Sequence, residues 1–192
     1  MRITKADVIQ TAADIADKNG LSNVSLKAVA ESLNIRTPSL YNHIDSLEAL
    51  LREIAHKGMK TMNEQMMQAA IGKIGDDAIK SVGITYLNYM IEHPGIYETI
   101  QWATWHGTEE TGKIFDNYLS LLKTLSLSCK FHPANIDEIL NLLTGVLHGY
   151  TTLQLRHAFT KPEEVRAALS TALDTVLTGL HQKYDQPEKE PL

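Results

Sequence analysis

Residues 25–51 read SLKAVAESLNIRTPSLYNHIDSLEALL, and the spacing within this stretch decides how the N-terminal part of the chain folds. Ser25 can accept from the amides of a first turn, and Leu26, Val29, Ala30 and Leu33 repeat at helical spacing, which predicts a short helix ending at Asn34. A second short helix is expected over 37–44, with Pro38 in its first turn, where a missing N–H costs nothing. Two helices joined by so short a turn must cross closely. The first then needs a small residue facing the second, and the turn needs a residue that accepts a positive φ. Ala30 and Asn34 fill those roles, Leu40 falls on the inward face, and Leu33 and Ile35 close the pocket. Arg36, Thr37, Ser39, Tyr41, Asn42 and His43 remain for solvent: donors and acceptors without one carboxylate, a surface that suits a polyanion.

Working outward, a helix is expected from about Thr4 to Asn19 and a long one from Ser46 to Ala70, carrying Leu47, Leu50, Leu51, Ile54, Met59, Met62 and Met66 on its buried side. Beyond a hinge at 72–75, helices are expected at about 76–92, 95–104, 111–127, 134–158 and 162–184. No alternating Val/Ile/Thr run and no internal repeat occurs, so the fold class is all-α with about nine helices. The expected organisation is a helix-turn-helix domain over 1–46 (motif about 25–44), a connecting helix over 47–70, a ligand-binding and dimerisation domain over 71–185, and a disordered polar tail over 186–192.

The 192 residues are 43% apolar, enough to bury a core, and carry a net charge of −5, which argues against indiscriminate coating of nucleic acid. The charge is uneven. Residues 1–60 hold eight Lys/Arg against seven Asp/Glu, and the remainder ten against sixteen, so the N-terminal part is the one suited to approach phosphates. There is no bilayer-length apolar run and no signal-like start, which predicts no membrane partner and a cytoplasmic location. The single cysteine, Cys129, can form no internal disulfide and reads as a packing residue.

The stretch 25–51 resembles the TetR family of transcriptional regulators, in which a Ser/Thr-capped helix, a Gly-Val turn and a Leu-Tyr-x-His-Phe/Val segment follow in that order. The likeness is strong over about residues 5–55, and 37–44 (TPSLYNHI) is close to the recognition helix of the tetracycline repressor. The resemblance implies that Ser25, Tyr41 and His43 touch the phosphate backbone, while Lys27, Arg36, Thr37, Pro38, Ser39 and Asn42 face bases or neighbouring phosphates. Three positions depart from the family pattern: Asn34 stands for the turn glycine, Ile44 for Phe or Val, and Leu47 for a lysine that would contact phosphate.

The last two helices carry broad apolar faces, Ile136, Ile139, Leu140, Leu143, Val146, Leu147 and Tyr150 on one and Val165, Leu169, Ala172, Leu173, Val176, Leu177 and Leu180 on the other. Their width, with the notch of Gly145 and Gly149, predicts a four-helix bundle made by two subunits. The segment 142–155 (LLTGVLHGYTTLQL) is similar to the His-Gly-containing C-terminal helix of one TetR subgroup. Met62, Met66, Tyr86, Tyr89, Met90, Trp102, Trp105, His106, Phe115 and His148 are the candidates to line an effector pocket, although a Met stripe at helical spacing is usually ordinary core. The eight histidines form no HExxH and no carboxylate-paired cluster, and no P-loop, GxSxG or dinucleotide fingerprint is present, so no metal, cofactor or enzymatic role is expected. The expected function is a repressor that binds a palindromic double-stranded DNA operator as a homodimer and is released by a small-molecule effector. The alternative is a helical adaptor whose degenerate helix-turn-helix no longer reads DNA.

Overall fold

A computed structural model describes residues 3–184, and the tail expected over 186–192 lies outside the described residues. Among the described residues there are nine α-helices and no strand. They are α1 (Lys5–Asn19), α2 (Leu26–Ser32), α3 (Thr37–Leu40), α4 (Leu47–Ala70), α5 (Gly75–Glu92), α6 (Pro94–His106), α7 (Glu109–Ser128), α8 (Ile136–Leu155) and α9 (Val165–Tyr184). The starts are written in local chemistry. Thr4 Oγ1 accepts from the Asp7 amide at 3.2 Å while the Asp7 carboxylate accepts from the Thr4 amide at 2.8 Å, a reciprocal cap on α1. Ser46 Oγ caps α4 by accepting from Ala49 N–H at 3.0 Å. Gly72 and Gly75, at φ 74° and 59°, make the turn between α4 and α5 in a conformation that other residues rarely adopt.

The chain packs as two compact units. Among the described residues, one comprises those up to Met62 together with Glu92–Asp116, the other Asn63–Ile91 together with those from Asn117 onward, so α4 and α7 each contribute to both. In the first unit Val8, Ala12, Val29, Leu40, Leu50 and Ile54 are at most 1% exposed. Here α6 lies against α1, a pairing with no sequence signal. The Asp17 carboxylate accepts from Gly95 N–H at 2.8 Å, from Ile96 N–H at 3.1 Å and from His93 Nδ1 at 2.9 Å. A carboxylate at a helix N-terminus satisfies orphan amides and opposes the helix dipole. The approach is so close that a Cβ on Gly95 would stand 2.1 Å from the Ala16 carbonyl carbon. Glu98 adds a bond from Leu21 N–H at 3.0 Å.

The first unit also ties α4 to the start of α7. His56, 6% exposed, lies with Nε2 2.7 Å from Thr111 Oγ1, and that oxygen accepts from Thr108 N–H at 3.0 Å. Burial holds the imidazole below its ordinary pKa, so a neutral ring shares this hydrogen bond with the Thr111 hydroxyl, the ring's tautomer setting which of the two donates.

In the second unit α8 and α9 pack on each other and on α5. Ile136, Ile139, Leu143 and Leu147 of α8 and Leu169, Leu173 and Leu177 of α9 are all at most 2% exposed. Gly83 of α5 leaves room for Leu173 and Leu147, whose methyls come within 2.9 and 3.1 Å of the position of an added Cβ. The broad apolar faces that the sequence assigns to a partner are thus largely consumed within the chain. A different strip of the same helices is left outward: Leu142 and Leu153 are exposed, and Cβ atoms added at Gly145, Gly149 or Gly179 would meet nothing within 4 Å.

Candidate nucleic-acid interface and ligand site

The turn between α2 and α3 forms a Schellman motif. Ile35 N–H reaches the Ala30 carbonyl at 3.0 Å and Asn34 N–H the Glu31 carbonyl at 3.1 Å, with Asn34 at φ 52°. Asn34 therefore does what the family glycine would do. Leu40 and Ile44 enter the core at 0% and 5% exposure. The regular helix stops at Leu40 rather than at 44. Tyr41, Asn42 and His43 follow in a tighter turn whose amides bond to Pro38, Ser39 and Leu40 at 3.3, 3.3 and 2.8 Å. Ser, Tyr, Asn and His are indifferent helix formers, and only Leu40 and Ile44 anchor the segment.

The expected solvent face is exposed in part. Arg36, Pro38, Tyr41 and Asn42 are exposed, and Thr37, Ser39 and His43 are half-buried beside them. Ser25 spends its hydroxyl on the Ala28 amide at 3.1 Å, placing it at the N-terminus of α2. Lys27 stands in solvent, loosely opposite Glu31 at 3.8 Å, a pair worth little to stability. Leu47 is half-buried at the first position of α4 and offers no donor. No carboxylate lies between Arg36 and His43, so the strip carries hydrogen-bond donors and acceptors without a negative charge.

The ten candidate pocket residues fall into separate groups. In the first unit Met62 is buried, and Trp102 stacks on His106 with ring centroids 4.6 Å apart. Trp105 is 88% exposed, and with Phe115 it lines an open cleft of about 450 Å³ at the turn between α6 and α7. In the second unit Met66, Tyr89 and Met90 are buried, and the Tyr86 hydroxyl meets His148, 3.2 and 3.3 Å from its two ring nitrogens. Burial holds His148 below its ordinary pKa, leaving a neutral ring. Tyr118, absent from the expected set, packs its ring 6.2 Å from that of Tyr86, and desolvation pushes its hydroxyl up to about 12. Its one sequence signal is a tyrosine where the stripe of Ile114 and Leu122 calls for a hydrocarbon. Among the described residues no group of three His, Cys, Asp or Glu side chains could hold a metal ion, and no helix is long and apolar enough to cross a membrane.

Residues 79–176 match the family described as Tetracyclin repressor-like, C-terminal domain. An uncharacterised HTH-type transcriptional regulator of Bacillus subtilis, YobS, is 33% identical over 180 residues, 93% of each chain. Among solved structures, a regulatory protein in the TetR family from Rhodococcus RHA1 superimposes with a TM-score of 0.74 at 16% identity, covering 94% of this chain and 98% of that one. A TetR variant from Acinetobacter baumannii AYE in complex with minocycline gives 0.68 at 17% identity, covering 95% and 99%. The chain belongs to the TetR family of DNA-binding transcriptional regulators.

Proposed function

We propose that this chain is a cytoplasmic repressor that binds a palindromic operator as a homodimer and lets go when a small molecule binds. The observation that carries the reading is the strip Arg36–His43, held outward by the Schellman turn at Asn34 and free of carboxylates. In functional terms, residues up to 46 read DNA, 47–70 connect, and 71–185 bind the effector and the second subunit. The roles of Ser25, Tyr41 and His43 on phosphates, and of Lys27, Arg36, Thr37, Pro38, Ser39 and Asn42 on bases or adjacent phosphates, are those the family resemblance implies for the start of α2 and for that strip.

Dimerisation is supported by the outward strip of α8 and α9. A glycine inside a helix costs about 1 kcal/mol relative to alanine, and Gly145, Gly149 and Gly179 face open space where nothing in the chain requires them. They flank exposed Leu142 and Leu153, and a second copy approaching closely gives both features a purpose. Two heads held in this way would meet major grooves roughly 34–36 Å apart. A small-molecule effector is supported by the family and by the minocycline complex of the Acinetobacter relative. Its binding shifts α4 and α6, and the Asp17 clamp carries the motion of α6 into α1.

Selection of bound sequences from a random double-stranded DNA pool tests the reading. The wild type is expected to enrich a palindrome that an Arg36→Ala, Tyr41→Ala double variant does not. Absence of enrichment at low salt would reject the repressor reading.

A further inference from the structure

The second unit contains polar atoms that its fold does not use. Thr144 and Thr151 lie on α8 one turn either side of His148, at the spacing that aligns three side chains on one helix face. Thr151 is 0% exposed and its Oγ1 has no hydrogen-bond partner, not even the carbonyl one turn back, where buried helical threonines usually turn. The Tyr118 and Thr144 hydroxyls lie close enough to influence each other, and beyond that contact neither oxygen has a hydrogen-bond partner. The Gln154 Oε1, farther along α8, is likewise buried without a partner. Native interiors satisfy nearly all such atoms, so a cluster of orphans on one helix face asks for a function.

The cluster is free of formal charge. Its titratable members are His148, held neutral by burial, and the phenols Tyr86 and Tyr118, the latter far from ionising near neutral pH. An ionised ligand placed here would lose its hydration and meet no counter-charge, whereas a neutral one with a hydroxyl or carbonyl would complete the unmade bonds.

We propose that Tyr118, Thr144 and Thr151 form the polar wall of a binding site for an uncharged, hydrogen-bonding aromatic ligand, with Tyr86 and His148 beside them. This rests on the effector reading above for its regulatory meaning, although the binding itself does not. The rings of Tyr86 and Tyr118 lie 6.2 Å apart and those of Tyr86 and His148 5.6 Å apart, so an aromatic ligand taken up here would join an existing ring cluster. The hydroxyls set its polar end.

Thermal melts of the full chain, without DNA, test the site separately from repression. The probes are 2-naphthol, neutral at pH 7, and 2-naphthoate, its anionic counterpart of similar shape. For the wild type, 2-naphthol is expected to raise the Tm and 2-naphthoate to leave it unchanged. A Thr144→Val, Thr151→Val variant removes two orphaned hydroxyls at nearly constant volume. It should melt higher than wild type without probe, by on the order of 2 to 4 °C, and lose most of the response to 2-naphthol. Tyr118→Phe, a smaller change, should weaken the response in the same direction. A lower Tm in the valine variant would mean that the hydroxyls are satisfied in solution. That result, an equal shift with 2-naphthoate, or no shift with 2-naphthol would each overturn the proposal. Failure of operator selection alongside a positive melt would reject the repressor reading and leave this site standing.

Discussion

At the scale of single residues, the turn between α2 and α3 shows how much a sequence states outright. Asn34 was legible because few residues tolerate a positive φ, and it sits at 52°. Replacing it with alanine should cost about 1 kcal/mol in urea denaturation, while glycine should be neutral or slightly stabilising. Arg36→Ala, on the exposed strip, should weaken operator binding by about 1–3 kcal/mol and leave the melting temperature unchanged, which gel-shift titration beside a thermal melt will show. His56 was not legible, because nothing in its neighbours announces a bond to a threonine 55 residues away. Its folded pKa lies below the ordinary 6.5 because of desolvation, which outweighs the raising effect of Glu110 and Glu53; Lys60 and Arg52 lower it further. The unfolded chain therefore takes up the proton first, so the contribution of His56 is complete above about pH 6.5 and is lost as pH falls below it. His148 has the same sign. Melts between pH 7.5 and 5.5 should decline, and His56→Gln, which keeps a hydrogen-bonding amide beside Thr111 but does not titrate, should flatten part of that decline.

Among the elements, helix existence was readable throughout, because caps such as Thr4 and Ser46 and breakers such as Pro94 act on adjacent residues. Which face meets which neighbour was not readable. The apolar stripes of α8 and α9 look wide enough for a partner, but periodicity reports only that a face is buried, and here α5, α8 and α9 bury one another. The surface proposed for a second copy is picked out instead by glycines without neighbours. Gly149→Arg should then convert the protein to a monomer in sedimentation equilibrium while its helical circular dichroism stays intact. A Gly149→Arg variant that remained dimeric would move the interface elsewhere. The candidate ligand residues were likewise chosen by type and spacing. The aromatic ones scattered between an exposed cleft and a buried pair, because spacing along one helix does not specify what lies opposite.

For the whole molecule, the distribution of charge bears on how it finds DNA. The net charge is −5, yet the N-terminal sixty residues are slightly basic, so non-specific attraction should be weak and, on the function proposed above, specific binding should depend on a local strip. Operator affinity should still fall on the order of 1,000-fold between 50 and 200 mM salt if six or more phosphates are engaged, and a shallow slope would indicate fewer contacts, consistent with the absence of a lysine at Leu47. The division into packing units was the part of the architecture furthest from the sequence, since it depends on Asp17 reaching the amides of Gly95 and Ile96 across nearly eighty residues.

That clamp changes how a genetic map of this regulator should be read. Gly95 has no room for any side chain against Ala16, and Asp17 is the only group capping those two amides among the described residues. In a saturation screen scored by loss of the repression proposed above, both positions should therefore stand out as sharply as the strip Arg36–His43. The substitutions at 95 would behave alike whether small or large, polar or apolar, whereas those at Arg36 would be graded by hydrogen-bonding capacity. The shape of each position's tolerance profile, rather than its severity, would separate residues that read the operator from residues that hold the reader in place.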